Sequence, residues 1–260
     1  YEEIAGEVDA NQKDLKTDLE FLIARTNAKL GKADPAKLDE AIRQLEGYKT
    51  AHPTTFRYYD SLLLLGDAYL DKNNYGSAEP IYNQLEQAPW PDYKMAAKVA
   101  KGRLLLRKDD VSGAEKLFQE VAGQSVNTDA EKARQFDARL GWATCLQRMS
   151  KGTEAAAELD KIIKQAPATA TKTMGEAYLR KGDVLLLESA ADPTKKKDAL
   201  LAYLHVDVLF ATEKDLHAEA LYHLATLWAE VGEPGRAATA RAKLSQDYPN
   251  SEWAKKLVGG

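Results

Sequence analysis

The 260 residues are 44% hydrophobic and 29% charged, too apolar for a disordered chain, which leaves one or two compact domains or one array of short repeats. Thirty-six Lys and Arg against 40 Asp and Glu give a net charge of -4, which excludes a general electrostatic attraction to nucleic acid or to an acidic membrane surface.

Alanine, leucine, lysine and glutamate dominate, and no stretch alternates apolar with polar residues, so helix is predicted nearly throughout. Residues 1–16, with Ile4, Val8 and Leu15 at roughly helical spacing, read as a leading helix or a tether. Six segments with one internal pattern follow. Residues 17–53 carry Ile23, Ala24, Ala41, Leu45, Tyr48 and Pro53. Residues 59–91 carry Leu62, Leu65, Gly66, Tyr69, Ala78, Tyr82 and Pro91. In 95–125 stand Gly102, Leu105, Ala114, Phe118 and Val121, and in 136–167 Trp142, Ala143, Leu146, Ala155, Leu159, Ile162 and Pro167. Residues 175–212 hold Gly182, Leu185, Ala199, Tyr203 and Val206; 218–250 hold Leu221, Leu224, Ala225, Trp228, Ala237, Leu244 and Pro249. Breakers such as Asn73-Asn74, Pro89 and Pro91, Ser112-Gly113, Gly152, Asp192-Pro193 and 232–235 separate the helices. A last stretch, 251–260, is a predicted cap: Ser251 can start a short helix whose Trp253, Ala254 and Leu257 cover the end of the array.

Within a segment, the small residue of the first helix precedes that of the second by 12 positions, or by 17 in the first and fifth, where 30–35 and 190–197 lengthen the turn. Pairs such as Gly66 with Ala78 then let two antiparallel helices approach closely. This pattern resembles the tetratricopeptide repeat, whose signature runs W-x2-L-G-x2-Y, A-x3-F and a late proline, although Leu62 and Leu221 stand where the family has Trp. The resemblance implies an all-α, right-handed α-solenoid of about six helix hairpins with a concave groove that binds a protein or peptide partner. Family ligand-facing places lie three before and one, four and five after the first small residue. They select a partner-binding groove of Asp67, Asp71, Arg103, Arg107, Gln147, Arg148, Asp183 and Tyr222. The Lys and Asn grip on a C-terminal carboxylate is missing, because Leu63, Val99 and Leu140 occupy those places.

No chemistry competes with that reading. H-E-x-x-H and Gly-rich phosphate loops are missing, and His217 and His223 are six apart, on different sides of a helix. Cys145, the one cysteine, excludes a disulfide framework and a Cys-rich metal site, fits cytosol and periplasm alike, and reads as a buried inert thiol. No catalytic residue, metal or cofactor is expected. Apolar runs such as 62–65 fall far short of the roughly 18 to 20 residues of a membrane span. The start at Tyr1 leaves room for a signal peptide, lipid anchor or preceding domain outside the chain. The junction at 247–254, Tyr-Pro-x-Ser followed by an aromatic and Ala, resembles bacterial envelope proteins of the family, such as outer-membrane assembly lipoproteins and the periplasmic cell-division coordinator. The expectation is a non-catalytic interaction scaffold, periplasmic or outer-membrane associated, with the cytoplasm as the alternative compartment. A structural subunit using convex or end surfaces is the alternative role, and an enzyme or small-ligand carrier the third.

Overall fold

The computed structural model describes residues 12–259 together with Tyr1 and Glu3; Ile4 and Val8 of the expected leading segment lie outside the described residues. Among the described residues there are 13 helices and no strand. They are α1 (Lys13–Leu30), α2 (Pro35–Ala51), α3 (Tyr58–Asp71), α4 (Tyr75–Leu85), α5 (Pro91–Arg107), α6 (Val111–Ala122), α7 (Asp129–Arg148), α8 (Gly152–Gln165), α9 (Thr171–Glu188), α10 (Lys195–Leu209), α11 (Lys214–Glu230), α12 (Pro234–Asp247) and α13 (Glu252–Gly259). None is long and apolar enough to cross a membrane. The chain forms two compact units, residues 1–135 and 136–260. Each is an array of antiparallel hairpins stacked on its neighbours, the arrangement of an α-solenoid. In the first unit α1/α2, α3/α4 and α5/α6 are the hairpins; in the second, α9/α10 and α11/α12 follow α8, and α13 packs on α11 and α12.

Local chemistry sets the helix starts. Asp34, Asn74 and Asp110 accept hydrogen bonds from Ala36, Ser77 and Gly113 N–H at 3.0, 3.2 and 2.8 Å, closing the N-termini of α2, α4 and α6. At α7, Thr128 Oγ1 accepts from Glu131 N–H while the Glu131 carboxylate reaches back to Asn127 N–H at 2.7 Å, a variant of the reciprocal box. Prolines 35, 91 and 234 open their helices, where a missing N–H costs nothing. Pro91, assigned from sequence to the end of a repeat, therefore begins the next one. Ser112-Gly113 and Gly152 likewise lie inside first turns, not between helices.

Four hairpins share one turn. Asn73, Asp109, Ser150 and Gly232, each seven residues after the small residue of its first helix, have φ of +57°, +63°, +60° and +84°. The next residue in each donates its N–H back to Leu70's neighbour Tyr69, to Leu105, to Leu146 or to Trp228, at 2.8 to 2.9 Å. That is the Schellman closure, and it reverses the chain within three residues. These are the hairpins with the spacing of 12; the two with 17 use longer turns.

At the crossings a ring, not only a small residue, meets the first helix. A Cβ added to Gly66 would lie 2.3 Å from Tyr82, one at Gly102 would lie 2.7 Å from Phe118, and one at Gly182 would lie 2.5 Å from Tyr203. All three rings are fully buried. In the other three hairpins the first helix has Ala24, Ala143 or Ala225, and the place of the ring is taken by Leu45, Leu159 or Arg241. Glycine thus goes with an aromatic, and Ala24 and Ala143 go with a buried leucine, a volume-conserving exchange; Arg241, opposite Ala225, is exposed and fills no such place.

Two stability measurements follow. Gly66→Ala, which in an open helix would stabilise, is expected to cost about 1–3 kcal/mol in urea unfolding because the Tyr82 ring has no room to retreat. In a double-mutant cycle Tyr82→Leu should recover part of that loss, and additive effects would refute the coupling. Ser150→Gly is expected to raise stability by about 1 kcal/mol, since the left-handed turn penalises every side chain except hydrogen.

Candidate functional site: the first-helix charged clusters

In the first unit, α3 and α5 lie side by side and carry Asp67, Asp71, Arg103 and Arg107 at matching places. Asp67 is half-buried and accepts the Tyr82 hydroxyl at 2.9 Å. Burial pushes its carboxyl above the ordinary range, against the opposing pull of Arg103, Tyr82 and Arg134. Asp71, one turn on and more open, is also raised by partial burial of its carboxyl, against the pull of Arg107, Lys32 and Arg103. The hydroxyl of Tyr82 is pushed up in turn, first by burial and then by the Asp67 charge. Arg103 and Arg107 are exposed. The structure thus brings these four together and adds Lys32 and Arg134, which the sequence reading missed. Arg134 stands nine residues before Ala143, outside the window of ligand-facing places.

The second unit builds a related constellation on α9, α10 and α11. Asp183 Oδ1 accepts the Tyr203 hydroxyl at 2.9 Å, repeating the Gly66-Asp67 and Tyr82 arrangement with Gly182-Asp183. Arg180 donates to Asp183 Oδ2 at 2.5 Å and forks onto both Glu219 oxygens at 3.0 Å. Burial works against its charge, yet the Glu219 bonds and the Asp183 charge hold the guanidinium firmly protonated. His223 stacks on the Tyr203 ring at 4.6 Å and 7°, with Nε2 3.7 Å from Asp183. Burial pushes its pKa down, against the carboxylates. Tyr222 touches His223 and lies 5.3 Å from Trp253 of the terminal helix, which half covers it. Gln147, half-buried, and Arg148, exposed, stand in the last turn of α7.

Ligand atoms of Asp183, Glu219 and His223 lie within 4.8 Å of one another, a set able in principle to hold a cation. Arg180 already supplies that positive charge to both carboxylates, so the arrangement is an ion-pair network. His217 belongs elsewhere: its ring nitrogens meet Asp207 and Tyr248, each at 2.7 Å. Sequence reasoning also missed the exposed Trp90, which packs edge-on against Tyr59 at 5.3 Å beside Tyr93, at the starts of α3 and α5.

No protein-family profile matches the sequence, and no curated protein sequence matches it. Solved structures do. The crystal structure of PilW, a widely conserved type IV pilus biogenesis factor, aligns with a TM-score of 0.60 at 14% identity, over 93% of this chain and 98% of that one. PilF of Pseudomonas aeruginosa gives 0.57 at 15% identity, over 95% and 98%. BtubC from P. vanneervenii gives 0.54 at 11%, over 95% and 92%. PilW and PilF are tetratricopeptide-repeat proteins. The chain therefore has the tetratricopeptide-repeat fold, an all-α array of helix hairpins.

The histidine gives a pH test. Its pKa is depressed in the fold, so the unfolded chain binds the extra proton, and stability falls as pH drops below the ordinary value near 6.5. His223→Phe, which keeps the stack, is expected to lose less stability than the wild type between about pH 7.5 and 5.5, by up to about 1 kcal/mol in urea unfolding. Parallel curves for the two proteins would refute it.

Proposed function

We propose that the protein is a non-catalytic scaffold that takes an extended partner segment on the groove formed by its first helices, in the bacterial cell envelope. The observation that carries this reading is the charged row on α3 and α5. Asp67 and Asp71 face Arg103 and Arg107 across neighbouring hairpins, and the two arginines reach solvent. Exposed guanidinium groups on a rigid array can hold a carboxylate or backbone carbonyls in paired hydrogen bonds, and the scaffold loses little entropy on binding. The titratable groups of the second unit are engaged with one another in ion pairs and stacks, which suits a structural role better than proton transfer. The envelope location rests on the junction motif at 247–254.

The test is affinity capture from separated envelope and cytoplasmic fractions, read by mass spectrometry, with Arg103→Ala/Arg107→Ala/Arg148→Ala alongside. An envelope partner retained by the native chain should bind the triple variant at least about tenfold more weakly, the effect of roughly 1.4 kcal/mol. Undiminished binding would remove the arginines from the site, and capture confined to the cytoplasmic fraction would overturn the location.

A further inference from the structure

The second helix of a hairpin buries one side against its partner and turns the other to water. In α6 that open side carries Lys116, Gln119 and Glu120, and in α8 Glu154, Lys161 and Lys164. Helix α10 breaks the rule. Its buried side is Ala199, Ala202, Tyr203 and Val206, as the fold requires. Its opposite side is also apolar: Leu201, Val208 and Leu209 are 55%, 71% and 60% exposed, with Leu204, which packs partly on the core, between them, and with the exposed His205 beside it, its ring stacked at 4.5 Å on Tyr178 of α9. At 3.6 residues per turn, positions 197, 201, 204 and 208 fall on one line along the helix. A surface helix apolar on both sides is a helix with a second partner.

We propose that this partner is a second copy of the chain, the two α10 helices packing antiparallel about a two-fold axis that passes between Leu204 and His205. The choice rests on charge and on symmetry. The first turn of α10 holds Lys195, Lys196 and Lys197 with Asp198, and its last turn has no basic residue; Lys196 is paired with Glu230 at 2.8 Å, while Lys197 is exposed at an end where the helix's own dipole disfavours cations. Antiparallel pairing sets the exposed Lys197 of each copy beside the carbonyl end of the other, where a cation is favoured. The same axis sets Leu201 of one copy against Val208 of the other, so apolar meets apolar at both ends, as an isologous contact demands. A lipid surface fits less well, because the exposed Asp198 stands beside the stripe and the lysines of α10 are confined to its first turn. This surface uses none of the groove residues, so it stands or falls independently of the scaffold reading.

One helix pair is a small interface, so dissociation in the range of about 1–100 µM is expected. Sedimentation velocity across that range should show a monomer–dimer equilibrium for the native chain. Leu201→Asp/Val208→Asp should remain monomeric with unchanged helical circular dichroism, and Lys197→Glu should weaken association at least about fivefold. His205→Cys, near the axis, should oxidise to a disulfide-linked dimer while the native chain, whose Cys145 is buried, does not. A native chain monomeric throughout overturns the proposal. So does a dimer that survives the double aspartate variant, or one indifferent to Lys197→Glu. Native chain that stays monomeric but binds anionic vesicles through Leu201 and Val208 would overturn it in favour of a lipid surface.

Discussion

Contact between an aromatic ring of one helix and the bare backbone of its partner sets the geometry of three hairpins. With Gly66, Gly102 and Gly182 under Tyr82, Phe118 and Tyr203, there is no space for even a methyl group. The helices therefore approach at one depth and in one register, and the large residues on either side, such as Leu62, Leu65 and Leu85, are brought into contact with the next hairpin. Where Ala24 and Ala143 replace glycine the ring gives way to the buried Leu45 and Leu159, so at these crossings the two positions change as a volume-conserving pair.

The same contact reaches into the charged face. A tyrosine over glycine needs an acceptor for its hydroxyl, and in both cases the residue after the glycine is aspartate: Asp67 for Tyr82 and Asp183 for Tyr203. Phe118 has no hydroxyl, and the residue after Gly102 is Arg103. Acid or base at this place on the first helix is thus tied to the packing beneath it. The acids hold the rings, while the arginine after Gly102 reaches solvent. Charge placed by the core in this way is fixed by packing and not by solvent, so this face of the first helices is ordered in the chain itself.

Much of the array was legible in the chain. Helical spacing, the recurrence of Ala41, Ala78, Ala114, Ala155, Ala199 and Ala237, and the short breakers expose helix hairpins because close packing repeats the same steric demand in each. Boundaries were less legible. Pro91 and Gly152 begin helices that the spacing placed after them, since proline and glycine are tolerated at a first turn as readily as in a loop. Asp109 and Ser150 carry the left-handed turns without being glycine, so neither announces itself by residue type.

What the sequence determines by itself is the repeating hairpin: small residues at crossings, rings or leucines opposite them, and capping residues where helices must start, all short-range demands that leave a periodic trace. Only the tertiary structure decided which charges meet. Arg134 joins Asp67, Arg180 forks onto Glu219 from 39 residues away, and His223 lies flat on Tyr203. It also decided that Leu201 and Val208 face outward. Such pairings depend on how one hairpin is set against the next, and that relation is encoded in no single helix's period.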